Sequence, residues 1–237
     1  MRRTKGVDRP RPREVRAVHA ALRGHFGPRR WRRDGAAPTI LDSLVGTILS
    51  QNTSDTNSDR AFEALKARFH TWDEVREAPV RTLERAIRSG GLARIKARRI
   101  RAILNEVHRA HGRTSLEHLR RAGDEVIRST LRGFTGVGPK TVACVLLFDL
   151  GRPDFPVDTH VHRIARRLGW VAERATAEAT YDHLLPRIPA PMCYELHVDL
   201  VRLGREICQS RRPRCEVCPL RRRCDTGRTM RVDENSH

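Results

Sequence analysis

The stretch GFTGVGPKTVA (residues 133–143) contains a connection, GFTGVG, between two segments that are compatible with helices. DEVIRSTLR precedes this connection, and PKTVACVLLFDL follows it. Gly136 and Gly138 permit backbone conformations that other residues avoid, and they let a phosphate approach the chain closely. Pro139 suits the first position of a helix, whose N-terminal amides attract anions. The stretch therefore predicts a helix, a glycine hairpin and a second helix, with Val137 inside a phosphate-binding turn. An ordinary turn between two helices is the alternative.

Lys140 directly follows this hairpin in a chain that has 47 Lys and Arg residues but only four lysines. The positive end of a helix dipole disfavours an ammonium there, so the amine can be neutral for part of the time and act as a nucleophile. A lysine that only holds phosphate is the alternative.

Asp158, eighteen residues after Lys140, precedes a helical apolar face and is a predicted N-cap. A carboxylate that faces the lysine can also stabilise positive charge on a sugar or deprotonate an attacking group.

The net charge of +19 and the isoelectric point near 11.2 indicate a polyanionic partner, most simply nucleic acid. A GC-rich genome would explain arginine in place of lysine, but not the excess of bases over acids. No window of about 18 apolar residues exists, so we expect a soluble protein without a membrane span. The N-terminal stretch MRRTKGVDRPRPREVR is predicted to be a loosely ordered basic arm, and an organellar signal is the alternative.

The apolar periodicity is helical throughout, and no run of alternating residues predicts a strand, so the predicted fold class is all-α. Thr39 is a predicted N-cap, and Asp55 is predicted to cap the next helix. The segment RTLERAIRSGGL is predicted to be a helix that Gly90 and Gly91 end. The segment GRPDFPVD, with two prolines and a glycine, separates a first body at about 36–152 from a second one that carries the cysteines.

Four of the six cysteines follow the pattern C-x6-C-x2-C-x5-C near the C-terminal end of the sequence: Cys208, Cys215, Cys218 and Cys224. Without a secretory signal, this crowding favours a metal or a cluster over disulfides. A single compact loop suits an iron–sulfur cluster, whereas a zinc site is the alternative. The enclosed basic segments, which include Arg212, are predicted to dock on DNA. Cys144 and Cys193 are predicted to be ordinary buried thiols.

In this order and at these separations, GVGPKTVA, VDTHVHR and the four-cysteine pattern resemble the endonuclease III family of helix-hairpin-helix DNA glycosylases. The resemblance extends from about Thr39 to Cys224. It implies a six-helix barrel domain at 36–152 and a discontinuous iron–sulfur domain at 1–35 and 153–237, with DNA bound between them. It also implies that Lys140 is the nucleophile, that Asp158 is the catalytic aspartate and that the four cysteines hold a 4Fe-4S cluster.

The resemblance extends to the DNA contacts. ILSQNTSD resembles the segment whose glutamine fills the gap left by a flipped base, and either Asn52 or Gln51 is the residue at that position. GGLARIKA resembles the loop whose leucine enters the duplex, which makes Leu92 the wedge; a contact that closes a helix end is the alternative. The predicted DNA-binding residues are Gln51, Asn52, Leu92, Arg94, Lys96, Gly136, Val137, Gly138, His160 and Arg212.

The function that this resemblance implies is a bifunctional DNA glycosylase and AP lyase of base excision repair. We expect a monomer that acts on double-stranded DNA with damaged bases or abasic sites, removes oxidised pyrimidines of the thymine glycol type and cuts on the 3′ side by β-elimination. We also expect a cytoplasmic location, with association to a bacterial nucleoid. A monofunctional mismatch glycosylase is one alternative, although such relatives lack a lysine at the position of Lys140. A non-catalytic, cluster-containing DNA-binding protein is the other alternative.

Overall fold

The protein is helical throughout the part of the chain that the computed structural model describes, residues 9–31 and 38–229. No strand occurs in these two ranges, so the all-α prediction is confirmed. No helix within them is long and apolar enough to cross a membrane. The α-helices are α1 Pro12–Phe26, α2 Ile40–Ser50, α3 Asp55–Arg68, α4 Trp72–Glu77, α5 Val80–Ala86, α6 Ala93–His111, α7 Asp124–Gly133, α8 Pro139–Cys144, α9 Thr159–Arg167, α10 Ala177–Leu184, α11 Cys193–Glu206 and α12 Asp225–Thr229.

The chain divides into two compact units. One unit, Arg33–Arg152, contains α2 to α8 and is called the hairpin unit below. The other unit combines Met1–Arg32 with Pro153–His237, contains α1 and α9 to α12, and is called the cysteine unit. The segment predicted to separate two bodies lies at the boundary after Arg152.

Helix α2 forms the centre of the hairpin unit. It begins at Ile40 because the Thr39 hydroxyl accepts a hydrogen bond from the Asp42 amide (3.0 Å) while the Asp42 carboxylate accepts one from the Thr39 amide (2.8 Å). Its apolar side chains are almost completely buried and lie against α3, α6 and α8. Burial of this kind contributes about 1.5–3 kcal/mol for each large aliphatic side chain. The C-terminal end of α2 is therefore held firmly at Gln51.

Three local predictions differ from the structure. Ser54 rather than Asp55 caps α3, because the Ser54 hydroxyl accepts a hydrogen bond from the Asn57 amide at 3.3 Å. Helix α5 ends at Ala86, and a 3₁₀ turn at Arg88–Gly90 follows before Gly91 takes a positive φ of 67°. The predicted basic arm is wrong for residues 12–16, which belong to α1, whereas residues 1–8 lie outside the described residues.

In the cysteine unit, α1 packs against α11 through apolar side chains and a buried polar group. His19 Nε2 lies 2.6 Å from Glu195 Oε2, and the Arg29 amide donates to the other oxygen of that carboxylate at 2.7 Å. Arg29 Nε donates to Asp199 Oδ1 at 3.0 Å. These contacts hold the segment before residue 32 on a helix more than 160 residues away in the sequence.

Helix α9 also packs against α11. Its apolar face is the predicted one, with Val161, Ile164, Ala165 and Leu168 all buried. Asp158 is the N-cap, and its Oδ1 accepts a hydrogen bond from the Val161 amide at 2.7 Å. The capping role predicted for this aspartate is confirmed.

Candidate functional site

The glycine hairpin at residues 134–138 connects α7 to α8. Gly136 has a φ of 80°, in the left-handed region that glycine tolerates. The Val137 side chain is buried and its amide donates to the Phe134 carbonyl at 3.0 Å, so this residue anchors the turn. Its amide is therefore used within the turn, which differs from the predicted phosphate contact. The amides of Gly136 and Gly138 donate to no backbone carbonyl of the described chain.

Lys140 is the second residue of α8 and is half-buried. Within residues 9–31 and 38–229, its amine has no hydrogen-bond or ion-pair partner. The next residue, Thr141, is buried. Helix α8 ends at Cys144 and continues as a π-helical turn, Val145–Asp149, where the sequence predicted one continuous helix. Lys140 therefore belongs to the first turn of a short α-helix.

The turn between α2 and α3 is linked to this helix through Gln51. The Gln51 amide group donates to Thr141 Oγ1 at 3.3 Å, and its carbonyl oxygen accepts from Arg99 Nη1 at 2.8 Å. Asn52, by contrast, is exposed and has a positive φ of 54°. The two residues that the sequence left as alternatives therefore differ: the side chain of Gln51 is bound within the unit, and Asn52 lies at the surface.

The start of α6 presents an unusual backbone at Leu92. This residue is the N-cap, has a positive φ of 47° and is 53% exposed. A bulky apolar residue rarely occupies this conformation, which costs about 1–2 kcal/mol. Ile95, one turn later, is also exposed, as is Arg94. An exposed, strained leucine that is flanked by a cation is suited to contact with DNA bases.

Lys96 has a different role from the predicted DNA contact. Its ammonium is buried and donates to the carbonyl oxygens of Leu49 and Gly90, each at 2.7 Å. Burial, with the charge of Arg99 nearby, lowers the pKa of Lys96 from its ordinary 10.5. The side chain thus joins the end of α2 to the turn before α6 and does not reach the surface.

His160 lies in the cysteine unit and is the second residue of α9. Its Nδ1 accepts a hydrogen bond from Arg163 Nη2 at 3.0 Å. The ring also packs so closely against Gly204 of α11 that a Cβ at that glycine would lie 2.6 Å from Nδ1. The His160 ring is therefore positioned by contacts within its own unit, whereas Arg212, in the loop after Cys208, is exposed.

The structure brings the four predicted cysteines together around one cavity. The residues that line it include Cys208, Cys215, Cys218 and Cys224, together with Arg167, Arg214 and Arg221. In the described part of the chain, no three His, Cys, Asp or Glu side chains are arranged to bind a single metal ion. Four cysteines that line one cavity supply the ligand set that an iron–sulfur cluster takes.

Burial raises the pKa of the Cys218 thiol to about 11 and also raises those of Cys215 and Cys224. Cys208 is contacted by two arginines that the sequence analysis did not identify. Arg167 Nη1 lies 3.1 Å from Cys208 Sγ, and Arg163 Nε donates to the Cys208 carbonyl at 3.0 Å.

Arg99, Arg163 and Arg167 are the residues near these groups that sequence reasoning missed. Arg163 and Arg167 are four residues apart on α9, so the helical period predicts that they lie on the same face of the helix. Nothing local distinguishes them from the neighbouring Arg166. No local sequence pattern predicts the contact of Arg99, because its partner Gln51 is 48 residues away in the sequence.

These features define an all-α protein with a helix-hairpin-helix motif. Residues 45–190 match the family described as HhH-GPD superfamily base excision DNA repair protein. The chain belongs to this superfamily, which confirms the family predicted from the motifs. Within it, the chain is 36% identical over 182 residues to endonuclease III of Thermotoga maritima, a match that covers 77% of this chain and 81% of the relative.

Two plant relatives are larger. A putative DNA glycosylase of Arabidopsis thaliana is 46% identical over 192 residues, covering 77% of this chain and 65% of the relative. Protein ROS1A of rice is 35% identical over 200 residues, covering 77% of this chain and 10% of the relative. The chain therefore spans less than two thirds of these two relatives.

Among solved structures, a non-covalent endonuclease III–DNA complex matches with a TM-score of 0.77 and 26% identity, covering 92% of this chain and 97% of that one. A trapped endonuclease III–DNA covalent intermediate matches with a TM-score of 0.76 and 25% identity, covering 92% and 98%. The predicted fold is confirmed by these matches.

Proposed function

We propose that this protein is a bifunctional DNA glycosylase and AP lyase that removes oxidised pyrimidines and then cuts the strand on the 3′ side. The observation that carries the proposal is the Lys140 amine, which lies two residues after the hairpin and has no partner in the described chain. Two comparisons support a covalent reaction with lyase activity. One similar structure is a covalent endonuclease III–DNA intermediate, and one relative is called DNA glycosylase/AP lyase ROS1.

In the proposed reaction, the neutral Lys140 amine attacks C1′ of the damaged nucleotide. The bond from C1′ to the base breaks, and the base leaves with the bonding electrons and takes up a proton. The target nucleotide has to leave the base stack first, because C1′ is not accessible within the duplex. The attacking nitrogen then loses a proton, the C1′–O4′ bond breaks and O4′ takes up a proton, which leaves a protonated Schiff base between Lys140 and the opened sugar. This Schiff base acidifies the neighbouring C2′ proton. Loss of that proton breaks the C3′–oxygen bond and cuts the strand.

Asp158 has two separable tasks in this proposal. One carboxylate oxygen accepts the hydrogen bond from the Val161 amide that caps α9. The negative charge stabilises the oxocarbenium-like sugar as the base departs. Because asparagine caps helices about as well as aspartate, Asp158→Asn separates the structural task from the catalytic one.

The proposed DNA contacts are assigned mainly to side chains that are exposed at the surface. Asn52 fills the gap left by the flipped nucleotide, because it is exposed on a strained turn, whereas the Gln51 side chain is bound to Arg99 and Thr141. Leu92 enters the duplex from the start of α6. Arg94, His160 and Arg212 contribute to contacts with the DNA backbone, and the unpaired hairpin amides contact phosphate.

The four cysteines are proposed to hold a 4Fe-4S cluster, because they line one cavity and a cluster of this type takes four thiolate ligands. Cys208, just after α11, and the three cysteines of the C-terminal loop would hold the cluster, and their shared binding would tie that loop to α11. Arg167 fixes the same loop by donating to the carbonyls of Gln209 (2.7 Å) and Ser210 (2.9 Å). The arginines between the cysteines are thereby presented to the DNA backbone.

The proposed partner is double-stranded DNA with a damaged base or an abasic site, bound by a monomer. The predicted bacterial nucleoid association gains no support from the relatives, since several of them are plant proteins.

The proposal is tested with three duplexes, which carry a thymine glycol, an abasic site or a G·T mismatch. We expect the parent protein to release the oxidised base and to cut the first two duplexes. Lys140→Gln should lose cutting but still bind DNA, and Asp158→Asn should lose base release without loss of thermal stability. Arg98→Gln, which removes an exposed charge of α6, serves as the control. Base release from the mismatch alone, or binding without any product, would contradict the proposal.

A further inference from the structure

The side chain of Arg99 lies between two surface segments of the hairpin unit. It extends from α6, and its Nη1 donates to the Gln51 side chain at the end of α2. On its other side it covers the glycine hairpin: a Cβ placed on Gly136 would lie 2.3 Å from Arg99 Nε and 2.5 Å from Cζ. One guanidinium group therefore contacts both the turn after α2 and the hairpin before α8.

Gln51 continues this contact to the helix that carries the lysine. Its Nε2 donates to Thr141 Oγ1 at 3.3 Å, and Thr141 is buried directly after Lys140. The contacts thus run from Arg99 through Gln51 to α8, and from Arg99 directly to the hairpin that precedes α8. The guanidinium group is planar and has donors on two sides, so lysine cannot replace both contacts.

From this geometry we infer that Arg99 is a positioning residue, which fixes the turn at Gln51 and Asn52 relative to the hairpin and Lys140. The inference rests on the proposed function, because it assigns Asn52 to the gap in the duplex and Lys140 to the sugar. Both must act on the same nucleotide at the same time. A side chain that fixes the distance between them therefore affects the reaction without touching DNA bases.

A role for Arg99 in simple charge attraction makes a different prediction. Arg98 is the neighbouring residue on α6, carries the same charge and is exposed. If Arg99 only attracts phosphate, its removal and the removal of Arg98 should weaken binding equally and change nothing else. The pair provides a matched comparison within one helix.

The experiment compares Arg99→Met, Arg99→Lys and Arg98→Met with the parent. One measurement is the single-turnover cutting rate at saturating enzyme on a thymine glycol duplex. The second is binding to a duplex with a stable abasic analogue opposite 2-aminopurine, whose fluorescence reports how the gap is filled. This second measurement needs no chemistry, so it remains informative even if the parent proves to lack the proposed activity.

We expect Arg99→Met to lower the single-turnover rate about tenfold and to change the 2-aminopurine signal, with Arg99→Lys restoring little. The single-turnover rate of Arg98→Met should stay within about twofold of the parent. Arg99→Met and Arg98→Met should lose similar affinity for DNA. Equal rates for Arg99→Met and Arg98→Met, with equal fluorescence, would overturn the inference.

Gln51→Leu tests the same network from its other end, and it keeps the test valid if Arg99→Met is poorly folded. Because Arg99 and Gln51 act through one contact, the double variant should be no slower than the slower single variant. Rate losses that multiply in the double variant would show that the two residues act independently, and would contradict the inference.

Discussion

The Lys96 ammonium joins the end of α2 to the turn that leads into α6. It donates to the carbonyls of Leu49 and Gly90, both at 2.7 Å, and the residue is only 2% exposed. The last carbonyls of a helix have no partner within that helix. A lysine from another helix therefore completes the hydrogen bonding of α2 and holds the turn that carries Leu92.

We expect Lys96→Met to destabilise the protein by about 2–4 kcal/mol, because two buried carbonyls lose their donor. The relief of a buried charge offsets part of this loss. The measurement is urea unfolding followed by circular dichroism, with Arg98→Met as an exposed control that should change stability by less than about 0.5 kcal/mol. Equal stabilities of the two variants would show that Lys96 does not anchor the turn.

The burial of Lys96 was readable from the sequence, whereas the contact of Arg99 was not. Lys96 precedes Ile100, Ile103 and Val107 by four, seven and eleven residues, so it lies on the same buried face of α6. Its place in the GGLARIKA segment instead predicts a DNA contact, which its buried position contradicts. Arg99 meets Gln51 only because α2 and α6 pack together, which no local pattern encodes.

The start of α6 combines an unfavourable backbone with exposed apolar surface. Leu92 has a φ of 47°, and Leu92 and Ile95 are 53% and 55% exposed. Folding alone gains little from either side chain at this position. The element is therefore explained by the proposed insertion into DNA.

We expect Leu92→Asn to keep or raise stability by up to about 1 kcal/mol, because asparagine tolerates the left-handed conformation. The same variant should lower the single-turnover rate about tenfold on a thymine glycol duplex, and less on a preformed abasic site that requires no base extrusion. Val126→Ala is the control, since Val126 is 52% exposed on α7. Unchanged rates on both substrates would argue against a wedge.

The N-terminus of α2 gives a prediction for the pH dependence of stability. Burial opposes ionisation of Asp42, but hydrogen bonds from Thr39 and Lys66 outweigh it and lower the pKa of Asp42 below 3.8. A carboxyl group with a lowered folded-state pKa stabilises the protein above its unfolded pKa, and this contribution is lost as the pH falls through the folded value. Acid unfolding of Asp42→Asn should therefore lack part of the loss that the parent shows below about pH 4. Parallel curves for the two proteins would contradict this assignment.

The sequence predicts that these helices exist, but it is less accurate about the residues at which they begin and end. The buried faces of α2, α6 and α9 follow directly from the apolar period. The cap of α3 was placed one residue too late because Ser54 and Asp55 are both good capping residues, and only the backbone conformation distinguishes them. The π-helical turn after Cys144 has no sequence signal, since its residues would suit an α-helix equally well.

At the scale of the whole molecule, one unit is built from both ends of the chain. Arg29 pairs with Asp199, and His19 with Glu195, so α1 is fixed to α11. The sequence motifs alone do not assign the N-terminal segment to either of the two bodies. The side-chain pairs that fix it join residues far apart in the sequence, and no local pattern predicts them. The four-cysteine pattern, in contrast, was sufficient to predict that the thiols share one cavity.

We expect the purified protein to contain about four irons per chain and little zinc. Cys218→Ala should lose most of the iron, because it removes a thiol that lines the cavity. Cys193→Ala is the matched control: Cys193 is buried, and its burial raises the pKa of its thiol to about 12, but it does not line the cavity. Stoichiometric zinc without iron after anaerobic purification would contradict the cluster.

The central claim is that Lys140 forms a covalent bond with the sugar of a damaged nucleotide, and borohydride trapping tests it most directly. The parent protein and Lys140→Gln are incubated with a thymine glycol duplex and reduced, and the adducted peptide is sequenced by mass spectrometry. We expect a trapped adduct with the parent, mapped to Lys140, and none with the variant. An adduct that persists in Lys140→Gln, or base release by the parent without any adduct, would contradict the claim.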